Sequence, residues 1–382
     1  QANFQGVHGT VDDTIQKRLD GTTVIGLNSL WVTPAGLSAV WAEENTREAI
    51  FAGMKRKETY STSGVRIKVR LFGGWDFGPN VLKQKDWVKT AYAKGVPMGS
   101  DLPAAKAKAP TFAFWALKDP DAANLDRIQV IKGWSKNGQS FEKVYDVAWS
   151  GKRKPDPATG KVPPVGNTVN VLSGAYTNTI GAVELKTVWT DPEFDPSLDA
   201  FYYARVLEIP TPRWSTIQAA KMGRVPPSGA GFQPVIQERA WSSPIWYTPS
   251  AEARKGAKPG VTVADLKKQG AAALTDAQLK ELVVGKTVQV TNTVTGQRYE
   301  IIYGINGRRV VTAVNGKPAD MREMAELAHA GDIQYEIKDG RLTTDLAGTP
   351  FAATVYKMGD KYVGALNNEF GYANYEIVPV KQ

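Results

Sequence analysis

The sequence contains no cysteine and two histidines, His8 and His329, among 382 residues. Zero cysteine excludes disulfides, thiolate nucleophiles and cysteine-based zinc sites. The histidines lie far apart, and no His-x-His, His-Glu-x-x-His or Asp-x-His element occurs. No Gly-x-Ser-x-Gly nucleophile elbow stands out. The glycine-bearing stretches Phe72–Trp75 and Val96–Gly99 lack the spacing of a phosphate loop followed by Lys and Ser or Thr. No apolar run is long enough to span a bilayer. Gln1 to Thr10 has no apolar signal region, a feature that a mature exported protein would share.

What is present suits a folded chain. Hydrophobic residues make up 42% and charged residues 22%, enough for real cores and against wholesale disorder. The length suggests two or three domains. The net charge is +9, but Lys and Arg are scattered among acids as on a solvated surface. No nucleic-acid partner is expected.

Residues 1–33 read as a loop. Leu37–Ala42 reads as a buried strand, apolar on both faces as central parallel strands are. Asn45 offers an N-cap and Glu48 a capping-box partner for a helix through Ala49, Ile50, Phe51 and Met54. Its basic end, Lys55-Arg56-Lys57, suits a helix C-terminus. Gly53 costs about 1 kcal/mol against Ala, so packing must hold this helix. Alternation then puts Val65, Ile67, Val69 and Leu71 on one strand face. From Ile67 to Tyr247 the chain is strand-rich, with candidates at Thr111–Ala116, Leu125–Gly133, Glu142–Trp149, Leu185–Trp189 and Phe201–Glu208. Their spacing predicts a β-sandwich. The tryptophans Trp115, Trp134, Trp149, Trp189, Trp241 and Trp246 could form a sugar platform, but packing between two sheets is the commoner use.

Pro249 to Gly260 has a linker composition. Beyond it, Thr275 and Gln278 form a capping-box pair before Leu279, Leu282 and Val283, and Gly285 can end that helix. Asn306-Gly307, Asn315-Gly316 and Asp339-Gly340 signal tight turns. A small antiparallel β domain follows, interrupted by a helix near Ala319–Ala330.

Three residues are candidate catalytic groups. His8, in a glycine-bearing loop, can act as acid, base or metal ligand, and can equally be a surface histidine. Glu43 and Glu44 fall where a strand meets a helix N-terminus, where α/β folds place their sites. Acids there can also simply complement the helix dipole.

The blocks Ala39–Ile50, Lys57–Gly64, Phe72–Phe77, Gly95–Gly99, Asp126–Trp134, Tyr176–Ala182 and Ala240–Tyr247 together resemble a bacterial family catalogued as a domain of unknown function. That family is allied to the PHP (polymerase and histidinol phosphatase) metallohydrolases and to carbaryl-hydrolase-like proteins. The resemblance covers nearly all of residues 1–248. It implies a mixed α/β and β fold. The end of a distorted PHP-type β/α barrel (1–66) precedes a β-sandwich (67–248). A linker (249–261) then leads to a small lipocalin-like β domain (262–382), a weaker analogy to modules of exported bacterial proteins. The family's metal ligands come from His-x-His, Asp-His and Asp-x-His elements early in the chain, and Asn3–Gly9 matches the loop that follows the last of them. The resemblance therefore implies the carboxyl-terminal portion of a metal-dependent hydrolase of the ester or phosphoester class. A divalent metal (zinc, manganese or iron) would be held in the complete protein and none by this chain alone. The metal ligands would come from an N-terminal barrel fragment or a separate subunit. Oligomers are compatible with this, and a periplasmic or secreted location is expected. The alternative is a non-catalytic binding or structural subunit of an exported complex.

Overall fold

The computed structural model describes residues 14–21, 23–24, 27–28, 30, 36–103, 108–157, 159–229, 232–255, 260–315, 333–346, 349–367 and 371–380. His8, His329, the Asn315-Gly316 turn and the helix expected near Ala319–Ala330 lie wholly or partly outside them. The chain forms two compact units, residues 1–132 with 143–250, and residues 133–142 with 251–382.

The first unit is mostly β. A four-stranded antiparallel sheet runs in the order Glu184–Thr190, Thr111–Leu117, Lys68–Gly74, Gly95–Pro97. A seven-stranded sheet runs Leu37–Val40, Thr59–Thr62, Arg239–Ser242, Ala200–Glu208, Leu125–Lys136, Gln139–Trp149, with Ile245–Tyr247 also paired to Ala200–Glu208. Alternation explains the faces. Ile67, Val69 and Leu71 are buried, as are Ala200, Tyr202, Ala204 and Val206. Rings join the sheets: Tyr202 lies 4.5 Å from Phe112 and 6.4 Å from Trp189, centroid to centroid. The aromatic wealth of this region thus goes largely to the packing between sheets.

The expected strand at Leu37–Ala42 forms, but in a different place. Leu37–Val40 is antiparallel to Thr59–Thr62, stands at the end of the sheet and leaves Leu37 and Ser38 exposed. It is not a buried central parallel strand, and no β/α barrel is present among the described residues. The reason is local. The nine-residue helix Arg47–Lys55 returns the chain beside the strand it left, so the next strand pairs antiparallel rather than crossing over. The helix cap also shifts by one residue. Thr46, not Asn45, holds the N-cap, its hydroxyl accepting from the Ala49 amide at 3.3 Å.

In the second unit, eight strands close on themselves. Thr349–Met358, Arg341–Leu346, Ile333–Lys338, Arg308–Asn315, Arg298–Tyr303, Thr287–Asn292, Tyr375–Pro379 and Lys361–Leu366 pair in sequence, and the last pairs back to the first. Every second residue of Thr287–Asn292 and Arg298–Tyr303 is buried. Val288, Tyr299, Ile301, Val311, Ile333 and Val355 share one core with Leu279, Leu282 and Val283 of helix Asp276–Val283. That helix carries the expected Thr275–Gln278 capping box. Asp339 and Gly340 both take positive φ, at 53° and 70°, as their hairpin turn requires. The tip of another hairpin joins this unit. Its turn, Asn137-Gly138, has φ of 50° and 70°. The buried Gln139 amide donates to the Tyr375 hydroxyl at 3.1 Å and accepts from Asn292 at 3.1 Å.

Candidate functional site

A polar cluster forms close to the candidate acids in sequence, where Leu37–Val40 ends and Thr59–Thr62 begins. The Trp41 amide donates to the Glu58 carbonyl at 2.9 Å, so the two residues lie side by side. The Trp41 indole N–H donates to the Val69 carbonyl at 2.8 Å, which fixes the ring. Arg70 stacks on that ring, its guanidinium carbon 3.7 Å from the centroid. Glu58 is 2% exposed. Its carboxylate lies 3.8 Å from Arg70 Nη1 and 3.6 Å from Arg56 Nη2, and it accepts a hydrogen bond from the Tyr92 hydroxyl. Arg70 in turn donates to Tyr92 Oη at 3.4 Å.

Tyr92 links this cluster to a shallow, open surface groove lined by Lys85, Asp86, Trp87, Val88, Lys89 and Tyr92. Trp87 is held edge-on to Phe72 at 5.9 Å and tilted against Trp115 at 6.3 Å. Burial, then the bond to Glu58, push the Tyr92 phenol above its ordinary range, and burial does the same to Tyr60. Tyr92 therefore stays a neutral donor. With two lysines, one aspartate and an indole, the groove is equipped to hold an anionic or aromatic group rather than to move protons.

The candidate acids stand apart from this network. Glu43 and Glu44 are both exposed. Glu44 accepts a hydrogen bond from the Thr46 hydroxyl at 3.3 Å, next to the helix start. Glu43 makes no ion pair or hydrogen bond with any described residue. Among the described residues, no three His, Asp or Glu side chains are grouped to hold a metal.

Trp41, Arg70 and Tyr92 were not among the candidates drawn from the sequence. The available signal was alternation: with Ile67, Val69 and Leu71 turned inward, Arg70 had to face the other way.

Residues 1–249 match the family described as "Protein of unknown function (DUF3604)". The chain belongs to this family. No curated protein and no solved structure matches it. The family span ends where the first compact unit ends, within one residue, and the Trp41–Glu58–Arg70–Tyr92 cluster lies wholly inside it. No helix of the described residues is long and apolar enough to cross a membrane.

Proposed function

We propose that this chain is the carboxyl-terminal portion of a PHP-like metal-dependent hydrolase of the ester or phosphoester class. Zinc, manganese or iron would be held by an N-terminal segment or a partner chain. The observation that carries this reading is the open edge at Leu37–Val40. Among the described residues, this strand is paired on one side only, to Thr59–Thr62. Leu37 is 43% exposed, and Phe51 and Met54, on the helix that crosses the strand end, are 66% and 57% exposed. An unpaired edge next to exposed apolar side chains is a surface that another polypeptide segment can cover. Glu43 and Glu44 follow that edge directly, so a docked segment would meet them. In this reading they, with His8, act at the rim of the metal site. The groove beside Tyr92 suits the acid portion of an ester or phosphoester.

The test compares residues 1–382 with the product of the gene's whole open reading frame. Hydrolysis of 4-nitrophenyl acetate and bis(4-nitrophenyl) phosphate is measured with added Zn²⁺, Mn²⁺ or Fe²⁺. The expected outcome is metal-dependent turnover by the whole product, reduced in Glu43→Gln or Glu44→Gln. No turnover of either ester by the metal-loaded whole product overturns the reading, and favours the non-catalytic binding subunit, which the same groove would serve.

A further inference from the structure

A second polar site lies elsewhere in the first unit, at the start of helix Trp214–Lys221. We propose that Arg213, Ser215 and the first turn of this helix form a binding site for a phosphate group. The argument begins with the helix end. Its first amides carry partial positive charge, which is ordinarily offset by a capping side chain or an acid in the first turn. Here neither is present: the cap residue is Arg213, no side chain caps the turn, and the first turn has no acid.

The side chains at this end add charge of the same sign. Arg213 is 3% exposed, its Nη1 is buried without a hydrogen-bond partner, and the guanidinium makes no ion pair with any described residue. The Trp214 ring is 6.0 Å from the guanidinium carbon, at the limit of a cation–π contact. Burial lowers its affinity for the proton, and no neighbouring acid counters that. Ser215, two residues on, is completely buried, and its hydroxyl also has no partner.

Two other polar groups of the turn are engaged, which helps to keep it in place. The Arg213 amide donates to the Pro234 carbonyl at 3.0 Å and the Thr216 hydroxyl to the same oxygen at 2.6 Å. A buried guanidinium nitrogen, Arg213 Nη1, and a buried hydroxyl that both lack hydrogen-bond partners are costly unless something completes them. A tetrahedral oxyanion does this best. Its oxygens are acceptors of the kind that a guanidinium, a hydroxyl and first-turn amides lack, and it neutralises the charge. The site is independent of the hydrolase reading, because none of its residues belongs to the Tyr92 groove or to the open edge.

The experiment titrates residues 1–382 with inorganic phosphate at constant ionic strength, following ³¹P line broadening and the melting temperature, with chloride as control. The expected result is saturable broadening with a phosphate-dependent rise in melting temperature. Arg213→Met should abolish both, and Ser215→Ala should weaken binding about tenfold, the loss of one charge-assisted hydrogen bond. Arg213→Met keeps the bulk of the side chain, and should it fail to fold, Ser215→Ala decides. Absence of saturable binding, or wild-type affinity in the folded variants, overturns the proposal.

Discussion

Gly53 rests directly against the backbone of Trp41. A Cβ at Gly53 would stand 2.7 Å from the Trp41 carbonyl oxygen and 2.7 Å from Val40 Cγ2. The helix Arg47–Lys55 can cross the strand end this closely only because residue 53 has no side chain. Gly53→Ala is therefore expected to destabilise by about 1–3 kcal/mol through overpacking, although Ala is the better helix former by about 1 kcal/mol. Urea denaturation checks the sign. A rise in the midpoint would mean that the helix can lift off Trp41 at no cost.

The pairing of Glu58 with Arg70 gives a second prediction. Glu58 is buried, and Arg56, its other cation, has a side chain 46% exposed and is the weaker partner. Arg70→Ala should cost about 3 kcal/mol, because it leaves a buried carboxylate short of its main counter-charge and uncovers Trp41. Arg70→Ala with Glu58→Gln should recover much of that loss. Additive losses in the double-mutant cycle would show that the two side chains do not depend on each other.

Glu208 makes stability depend on pH. It is 0% exposed. Burial first, then the charges of Glu238 and Asp119, raise its pKa to about 8, against weaker opposition from the Ala123 amide and Lys118. A carboxyl whose folded pKa is raised binds more protons folded than unfolded between its unfolded value, 4.5, and about 8. Its contribution to stability therefore falls as pH rises across that window, by at most about 1.4 kcal/mol per pH unit. Glu208→Gln should flatten the fall and be the more stable protein at pH 8. Parallel curves of melting temperature against pH for the two proteins would contradict this.

The capping box of the second unit is open to a simple test. Thr275 accepts from the Gln278 amide at 3.4 Å, and Gln278 Oε1 accepts from the Thr275 amide at 2.9 Å. Thr275→Ala should destabilise by about 1 kcal/mol. Hydrogen exchange should place the loss in helix Asp276–Val283 and the barrel strands that share its core. Unchanged exchange there would show that packing of Leu279 and Val283 holds the helix without its cap.

Much of the fold was legible from neighbouring residues. The Thr275–Gln278 box, the Asp339-Gly340 turn and the strands Thr111–Leu117 and Ala200–Glu208 rest on spacings of a few residues. The arrangement of the site was not. Trp41 and Glu58 flank two paired strands of one sheet, Arg70 lies on a strand of the other and Tyr92 on a helix, so only tertiary packing puts them together. The candidate acids Glu43 and Glu44 were chosen from their place before a helix, and the structure leaves them outside this cluster.

The sequence by itself determined many of the extended, helical and turning segments, because those choices depend on side-chain period, caps and positive φ within one short stretch; it did not show the helices Ile15–Leu19, in a stretch read as a loop, Trp87–Lys94 and Trp214–Lys221. Tertiary structure alone decided that, among the described residues, Leu37–Val40 lies at a sheet edge, eight C-terminal strands close into a barrel, and Arg213 is buried without a counter-charge. An apolar run looks the same at the centre or the edge of a sheet. What separates the two is which distant strand hydrogen-bonds beside it, and that choice comes from the summed packing of the whole unit rather than from any local pattern.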